Sequence, residues 1–326
     1  MTDLLHKVLD SLIAGNGEGI DESLALALGD LPWDDNMDLL ALGGLARSLH
    51  GPKGTGTCAI INAKSGRCAE NCAFCAQSGH YRTGAPVYPL VDRKALLDAA
   101  REMDGHGIGR YGIVTSGTAL SDRELDSLCE AALAIRSECR IGLCGSLGML
   151  TDEKARRLKE AGFTRYHHNL ETARSYFPQI CTTHEYDQDI ETLHAARRAG
   201  LSICSCGIFG LGESWAQRVE FLAELRRLDV DSLPVNFLSP VPGTPMGSRS
   251  PLPRREALRV VALVRLMLPG KEVIVCGGRM STLAEEHSWV LAAGASALMT
   301  GNYLTTRGSG YDEDDMLLNA LGATRR

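Results

Sequence analysis

Short apolar runs rich in Ile, Val and Leu alternate along this chain with longer stretches in which apolar residues recur every three or four positions. Eight runs read as strands. They are "CAIINAK" (58–64), "RYGIVTS" (110–116), "RIGLCGSLG" (140–148), "RYHHNLE" (165–171), "SICSCGIFG" (202–210), "SLPVNFLSP" (232–240), "EVIVCGG" (272–278) and "ALMTGNYL" (297–304). Most of the stretches between them read as helices, because that spacing puts apolar side chains on one face. "SDRELDSLCEAALAIRS" and "TDEKARRLKEAG" each open on a capping residue, and the second closes on Gly. Eight such units predict an α/β fold, a (β/α)8 barrel of the TIM type, rather than an open doubly wound sheet. No GxGxxG lies between a strand and a helix, so a dinucleotide-binding fold lacks its fingerprint.

The first 50 residues carry helical spacing broken by a Gly turn, and "LHGPKGTGT" reads as the linker that follows. Two segments are expected: an N-terminal helical extension, residues 1–50, and a barrel domain, residues 51–326. The second has the length of such a barrel, about 250 residues or a little more.

Composition narrows the function. A net charge of −6 gives no sign of a nucleic-acid partner or an acidic membrane surface. The N-terminus has no basic stretch leading into an apolar core, so no secretory signal is expected. Apolar runs fall short of the roughly 18 residues that span a bilayer, so a soluble, cytoplasmic protein is expected. Eleven cysteines in such a chain are odd in number and sit in a reducing compartment, which argues against a disulfide framework. Metal or iron–sulfur ligation is the better reading for some of them.

Barrel chemistry gathers at the C-terminal ends of the strands. Cys68, Cys72 and Cys75 follow the first strand there, in "CAENCAFC"; Glu171 ends the fourth, Glu213 follows the fifth, and Thr305 and Thr306 follow the eighth. Three thiolates at spacings of four and three can wrap one face of a cubane cluster and leave its fourth iron open. A structural zinc site would close its tetrahedron with a fourth ligand, and ferredoxin loops use four cysteines at other spacings. A partial zinc site stays open on spacing alone.

The CxxxCxxC triplet after the first barrel strand resembles the radical S-adenosylmethionine (SAM) enzymes. The words around it are narrower. "INAKSGRCAENCAFCAQSGHYRTG", "YHHNLET", "GIFGLGES", "VNFLSPVPGTP" and "YLTT" are similar, in order, to the biotin synthase family, over nearly the whole chain. The resemblance implies that Cys68, Cys72 and Cys75 hold a [4Fe–4S] cluster whose open iron binds SAM, with Phe74 near the adenine. It further implies that Asn169 and Glu171 meet the ribose, that Asn236 holds the ureido ring of dethiobiotin, and that Thr305 and Thr306 face its carboxylate. An amide suits a ureido ring because it donates and accepts, and Glu where the family often has Asp is a mild change. The implied reaction is sulfur insertion into dethiobiotin by a SAM-derived 5′-deoxyadenosyl radical, the sulfur coming from a second, auxiliary iron–sulfur cluster. Implied partners are SAM, dethiobiotin, a flavodoxin or ferredoxin electron donor, and a second copy of the chain.

Against that family pattern, Cys144 and Cys204 keep two of the usual auxiliary-cluster ligands, while Gly112 and Ile274 stand where a cysteine and an arginine are usual. Cys206 and Cys276 each lie two residues beyond a sulfur-site position. Residues i and i+2 of a strand share a face, about 6.6 Å apart. Cys144, Cys204, Cys206 and Cys276 are therefore expected to face inward and hold a four-iron cluster, with Gly112 making room; the plain alternative is that Cys206 and Cys276 are apolar fillers. Cys58, Cys129, Cys139 and Cys181 read as fillers. His167 replaces an asparagine usually near the substrate ring, and Asp189 replaces an arginine usually near the SAM carboxylate. Arg279 is retained, with no contact assigned. Two rival readings remain: a relative of the hydrogenase maturases or methylornithine synthases, and a non-catalytic iron–sulfur or zinc-binding regulator.

Overall fold

The computed structural model describes residues 2–305 and 308–325. Parallel strands β1 (Gly56–Lys64), β2 (Arg110–Thr115), β3 (Gly142–Ser146), β4 (Arg165–His167), β5 (Ser202–Cys204), β6 (Ile208–Phe209), β7 (Ser232–Phe237), β8 (Glu272–Val275) and β9 (Ala297–Met299) form one sheet. Its order is β5-β4-β3-β2-β1-β9-β8-β7-β6, and pairing of Cys204 with Ser232 joins β5 to β7 and closes the barrel. β5 and β6 are two pieces of the fifth run, so the barrel has the eight strands expected from the sequence. The structure shortens several runs: β4 ends at His167, and Asn169 and Glu171 lie beyond it in a turn that bridges Gly207.

Helices α4 (Arg93–Gly105), α5 (Asp122–Glu138), α6 (Asp152–Ala161), α7 (Tyr186–Arg198), α8 (Trp215–Arg227) and α9 (Arg254–Met267) cover the outside of the sheet. Their starts are set locally. Ser121 and Glu124 form a reciprocal cap on α5, Ser214 and Gln217 on α8, and the Thr151 hydroxyl accepts from the Lys154 N–H on α6. Gly162 ends α6 in the left-handed conformation at φ 104°. Apolar residues at helical spacing, such as Leu125, Leu128, Ala132 and Ile135 of α5, are buried against the strands.

Upstream, α1 (Asp3–Ala14), α2 (Glu22–Ala27) and α3 (Asn36–His50) pack on the barrel wall and share its apolar core. Buried Arg259 of α9 fastens them, donating to Asn36 Oδ1 (2.9 Å) and to the carbonyls of Leu31 and Pro32 (2.7 and 2.8 Å). Gly43 of α3 comes so close to the end of α11 (Trp289–Ala292) that a Cβ there would lie 2.3 Å from the Ala293 carbonyl oxygen. Between β8 and β9 the short helix α10 (Arg279–Leu283) opens on Arg279, and α12 (Tyr311–Ala320) closes the chain. Arg279 now has its contacts: it is fully buried and pairs through both terminal nitrogens with Asp314 of α12, at 2.9 and 2.6 Å. Its role is to tie the last helix to the barrel. No helix among the described residues is long and apolar enough to cross a membrane.

Candidate active site

The chain leaves β1 into a loop that folds back on itself. Cys68 N–H donates to the Gln77 carbonyl (3.1 Å), Gly79 N–H to the Cys68 carbonyl (2.7 Å), and Cys75 N–H to the Cys72 carbonyl (2.9 Å). Ser78 Oγ donates to the Glu70 carbonyl at 2.6 Å. With its backbone satisfied internally, the loop presents Cys68, Cys72 and Cys75 half-buried on one short arc. Burial pushes the Cys75 thiol up to about 11. A single tetrahedral ion with metal–sulfur bonds of about 2.3 Å would draw its thiolates to about 3.8 Å apart. Among the described residues, only Glu70, Cys181 and His184 offer three ligand atoms within 4.8 Å of one another. The loop sulfurs stand wider than one zinc ion requires, which suits a multi-iron cluster.

From this loop a cavity of about 330 Å³ runs down the barrel axis. Phe74, Cys75, Ala76 and Gln77 line its mouth, as do Leu304 and Thr305. Thr306, the second expected carboxylate contact, lies outside the described residues. Asn169, Glu171 and Asn236 all line the wall. Glu171 has φ 66°, a left-handed conformation rare for a side-chain-bearing residue, and its backbone lies against Gly207. A Cβ at Gly207 would be 2.1 Å from the Glu171 carbonyl oxygen, so this approach requires glycine. Asn169 Nδ2 donates to Glu171 Oε2 (3.3 Å) and its Oδ1 accepts from the Cys206 N–H (3.3 Å). Burial, then the charge of Asp189, push the Glu171 carboxyl up to about 8, against the lowering effect of Asn169.

Asn236 differs from expectation in one respect. Its Nδ2 already donates to the carbonyls of Gly207 (3.2 Å) and Pro234 (3.0 Å), while Oδ1 accepts from Gly277 N–H (2.9 Å). Both amide protons are engaged, so Oδ1 with its second lone pair is what remains to meet a ligand N–H. Glu213 is structural: it accepts from the N–H groups of Gly210 and Gly212 and pairs with buried Arg218 at 2.7 Å.

Deeper in the barrel, Cys58, Cys144, Cys204 and Cys276 line the same cavity, with Arg110, Arg165, Gly112 and Ile274. Burial pushes all three of Cys144, Cys204 and Cys276 up, Cys204 to about 11, while the Arg165 guanidinium pulls Cys144 and Cys204 back. Arg165 donates to Glu272 Oε2 at 2.6 Å, a buried pair between the first residues of β4 and β8 that closes the lower end. Two sequence-based expectations change here. Cys206 is fully buried in the main apolar core and is not among the cavity's lining residues. It lies in the break between β5 and β6, where strand alternation does not hold. Cys58, read as a filler, lines the cavity instead.

Beside the loop lies a second group the sequence reading missed. Cys181 Sγ is 3.3 Å from His184 Nδ1, which is 2.7 Å from Glu70 Oε2; His184 Nε2 is 3.2 Å from Asp189, and Asp189 is 2.8 Å from His168. Hydrogen bonds to Asp189 and then Cys181 raise His184 to about 11, so it is a cation. Burial alone would raise Asp189, but hydrogen bonds from His168 and His184 hold it below the usual range. Interaction with the neighbouring Cys72 thiol, more than any other cause, holds Cys181 low, at about 3, and raises Cys72. These atoms touch one another directly, so the group is a hydrogen-bonded charge network rather than a ready metal site. Cys181 is not a filler. His167 lines the cavity, and burial lowers it to about 4, so it is neutral.

Residues 63–225 match the Radical SAM superfamily, and residues 234–324 match the Biotin and Thiamin Synthesis associated domain. A biotin synthase of Nitratidesulfovibrio vulgaris (strain DSM 19637 / Miyazaki F) is 56% identical over 314 residues, covering 93% of this chain and 86% of its own. One from Syntrophus aciditrophicus (strain SB) is 50% identical over 319 residues, covering 98% of this chain and 97% of its own. The chain belongs to the biotin synthase family. The barrel is also that of methylornithine synthase (TM-score 0.83, 16% identity, 99% of this chain and 97% of that one). It matches the FeFe-hydrogenase maturase HydG from Carboxydothermus hydrogenoformans as well (TM-score 0.80, 18% identity, 97% and 78%). At such identity these two share the fold alone, whereas the biotin synthase match extends through the sequence.

Within the biotin synthase framework, Asp189 is the residue whose neighbours matter most. The sequence left a missing cation there, and the structure supplies charged His184 beside it. A histidine three residues after a cysteine in "CTTH" is a visible signal, but its partner Glu70 is 114 positions away.

Proposed function

We propose that this protein converts dethiobiotin to biotin in the cytoplasm, using SAM, with a flavodoxin or ferredoxin as electron donor and a homodimer as its working form. When bound, the iron–sulfur groups supply the electron that splits SAM to a 5′-deoxyadenosyl radical and the sulfur that is inserted. Cys68, Cys72 and Cys75 would hold the first, and the deep thiols would hold an auxiliary cluster. Their fit is chemical: thiols suit iron–sulfur groups, and the guanidinium groups of Arg110 and Arg165 offset buried negative charge. The chain's own part is placement. Asn169 and Glu171 would take the ribose hydroxyls and Phe74 the adenine, while Asn236 Oδ1 would accept from a ureido N–H. Thr305, at the mouth, would receive the carboxylate. The neighbourhood of His184 balances the charge that Asp189 brings to the SAM side. The barrel walls exclude water and hold the radical against the substrate C–H, which is where binding geometry lowers the barrier.

The observation that carries this reading is the single cavity joining the three-cysteine loop above to the thiols below. The test is anaerobic reconstitution with iron and sulfide, reduction, and addition of SAM and dethiobiotin. Biotin and 5′-deoxyadenosine are expected together. SAM cleavage without biotin would favour another radical SAM activity, and no cleavage at all would favour a non-catalytic regulator.

A further inference from the structure

The lower cavity holds a thiol that reads as a filler in the sequence, Cys58. Strand register shows where it stands. Cys58 of β1 is level with Met299 of β9, and Ala297 is level with Ile274 of β8. Carried one residue past the end of β8, the same register brings Cys276 level with Met299. Cys276, Met299 and Cys58 therefore form one rank on adjacent strands, and Cys58 and Met299 pack against the cluster that holds Cys276 and Cys204. On the opposite wall, β4 links the other two thiols: Cys144 is level with Arg165, and Cys204 with His167. Gly112 lies in register between Ile60 and Cys144, so this part of β2 presents no side chain.

We propose that Cys58, Cys144, Cys204 and Cys276 are the four protein ligands of the auxiliary iron–sulfur cluster, and that Cys206 is not a ligand. The assignment rests on the reading that such a cluster occupies this cavity. Four thiols line one enclosed space, and no three of their sulfurs lie within the 4.8 Å spread that one ion would need. Arg110 and Arg165 stand against them to offset the charge. Cys206 is outside the lining. The first strand thus serves both sites: Cys58 faces the lower one, and the chain reaches the upper loop after Lys64, about 20 Å further along.

The test uses the full chain, reconstituted anaerobically with iron and sulfide. Wild type is expected to hold about eight irons, the sum of two four-iron clusters. Replacing Cys68, Cys72 and Cys75 together by Ala leaves the lower site to report alone, by iron content and Mössbauer spectrum. In that background, Cys58→Ala should lose more than half of the remaining iron, and Cys58→Ser should change the spectrum. Cys206→Ser should alter neither. Circular dichroism checks that each variant is folded; should Cys58→Ala unfold, the Cys58→Ser spectrum decides. An unchanged spectrum and iron content in a folded Cys58 variant, or loss of iron from folded Cys206→Ser, overturns the assignment. If the triple variant takes up no iron, the auxiliary-cluster reading itself fails, and the assignment with it.

Discussion

Replacing Cys68, Cys72 or Cys75 by Ala removes one thiolate and leaves the loop's backbone hydrogen bonds in place. Each variant should therefore stay folded and lose SAM cleavage, read as 5′-deoxyadenosine release; a wild-type rate in any of them would remove that residue from the site. Asn236→Ala removes the acceptor proposed for the ureido group and should weaken dethiobiotin binding by about 1–3 kcal/mol while sparing SAM, measured by calorimetry on each ligand. Equal losses for both ligands would count against the placement. Glu171 makes a pH prediction. Its carboxyl moves from an ordinary 4.5 to about 8 on folding. The folded state then holds the proton more tightly, so this contribution to stability is complete below 4.5 and is lost as pH rises through 8. Denaturant unfolding of Glu171→Gln from pH 5 to 9 should show a flatter profile than wild type. What was legible at this scale was local: the triplet, Asn169 and Glu171 are each spelled within a few neighbouring letters. Cys58 was not, because its relation to Cys276 runs across β9 and depends on the stagger of a closed sheet.

Helix α3 shows the same distinction for a whole element. Its existence could be read from apolar spacing, but the face it buries depends on α9 and α11, more than 200 residues away. At Gly43 a methyl group would strike the Ala293 carbonyl, so Gly43→Ala should push the helices apart and destabilise the fold by about 1–3 kcal/mol, measured by thermal melting. We propose that the extension, residues 1–50, is part of the barrel's stability rather than an independent unit, since its apolar residues belong to the common core. Strand ends were the least legible feature. The run 165–171 contains three residues of strand and then a turn, because Asn169 and Glu171 spend their hydrogen bonds on the segment around Cys206 and Gly207.

For the molecule as a whole, Arg279 and Asp314 join the last helix to the barrel. Asp314→Ala would leave a buried guanidinium without its carboxylate and should cost about 3–5 kcal/mol, seen as a lower denaturation midpoint. Replacing both residues by apolar ones of similar size should restore much of the loss. The eight-strand closure was legible because each unit carries its own periodicity; the tie between Arg279 and Asp314 was not, since nothing near either residue names the other. A different pair governs traffic. Arg165 and Glu272 form a buried pair at the end where strands β4 and β8 begin, so on the proposed reading cargo for the deep thiols would share the mouth with SAM and substrate. Occupancy above would then bar delivery below, and refilling would wait until both small molecules have left. The vessel would be emptied before it is restocked, which would make resupply, rather than bond-making, the natural place for a slow interval between rounds.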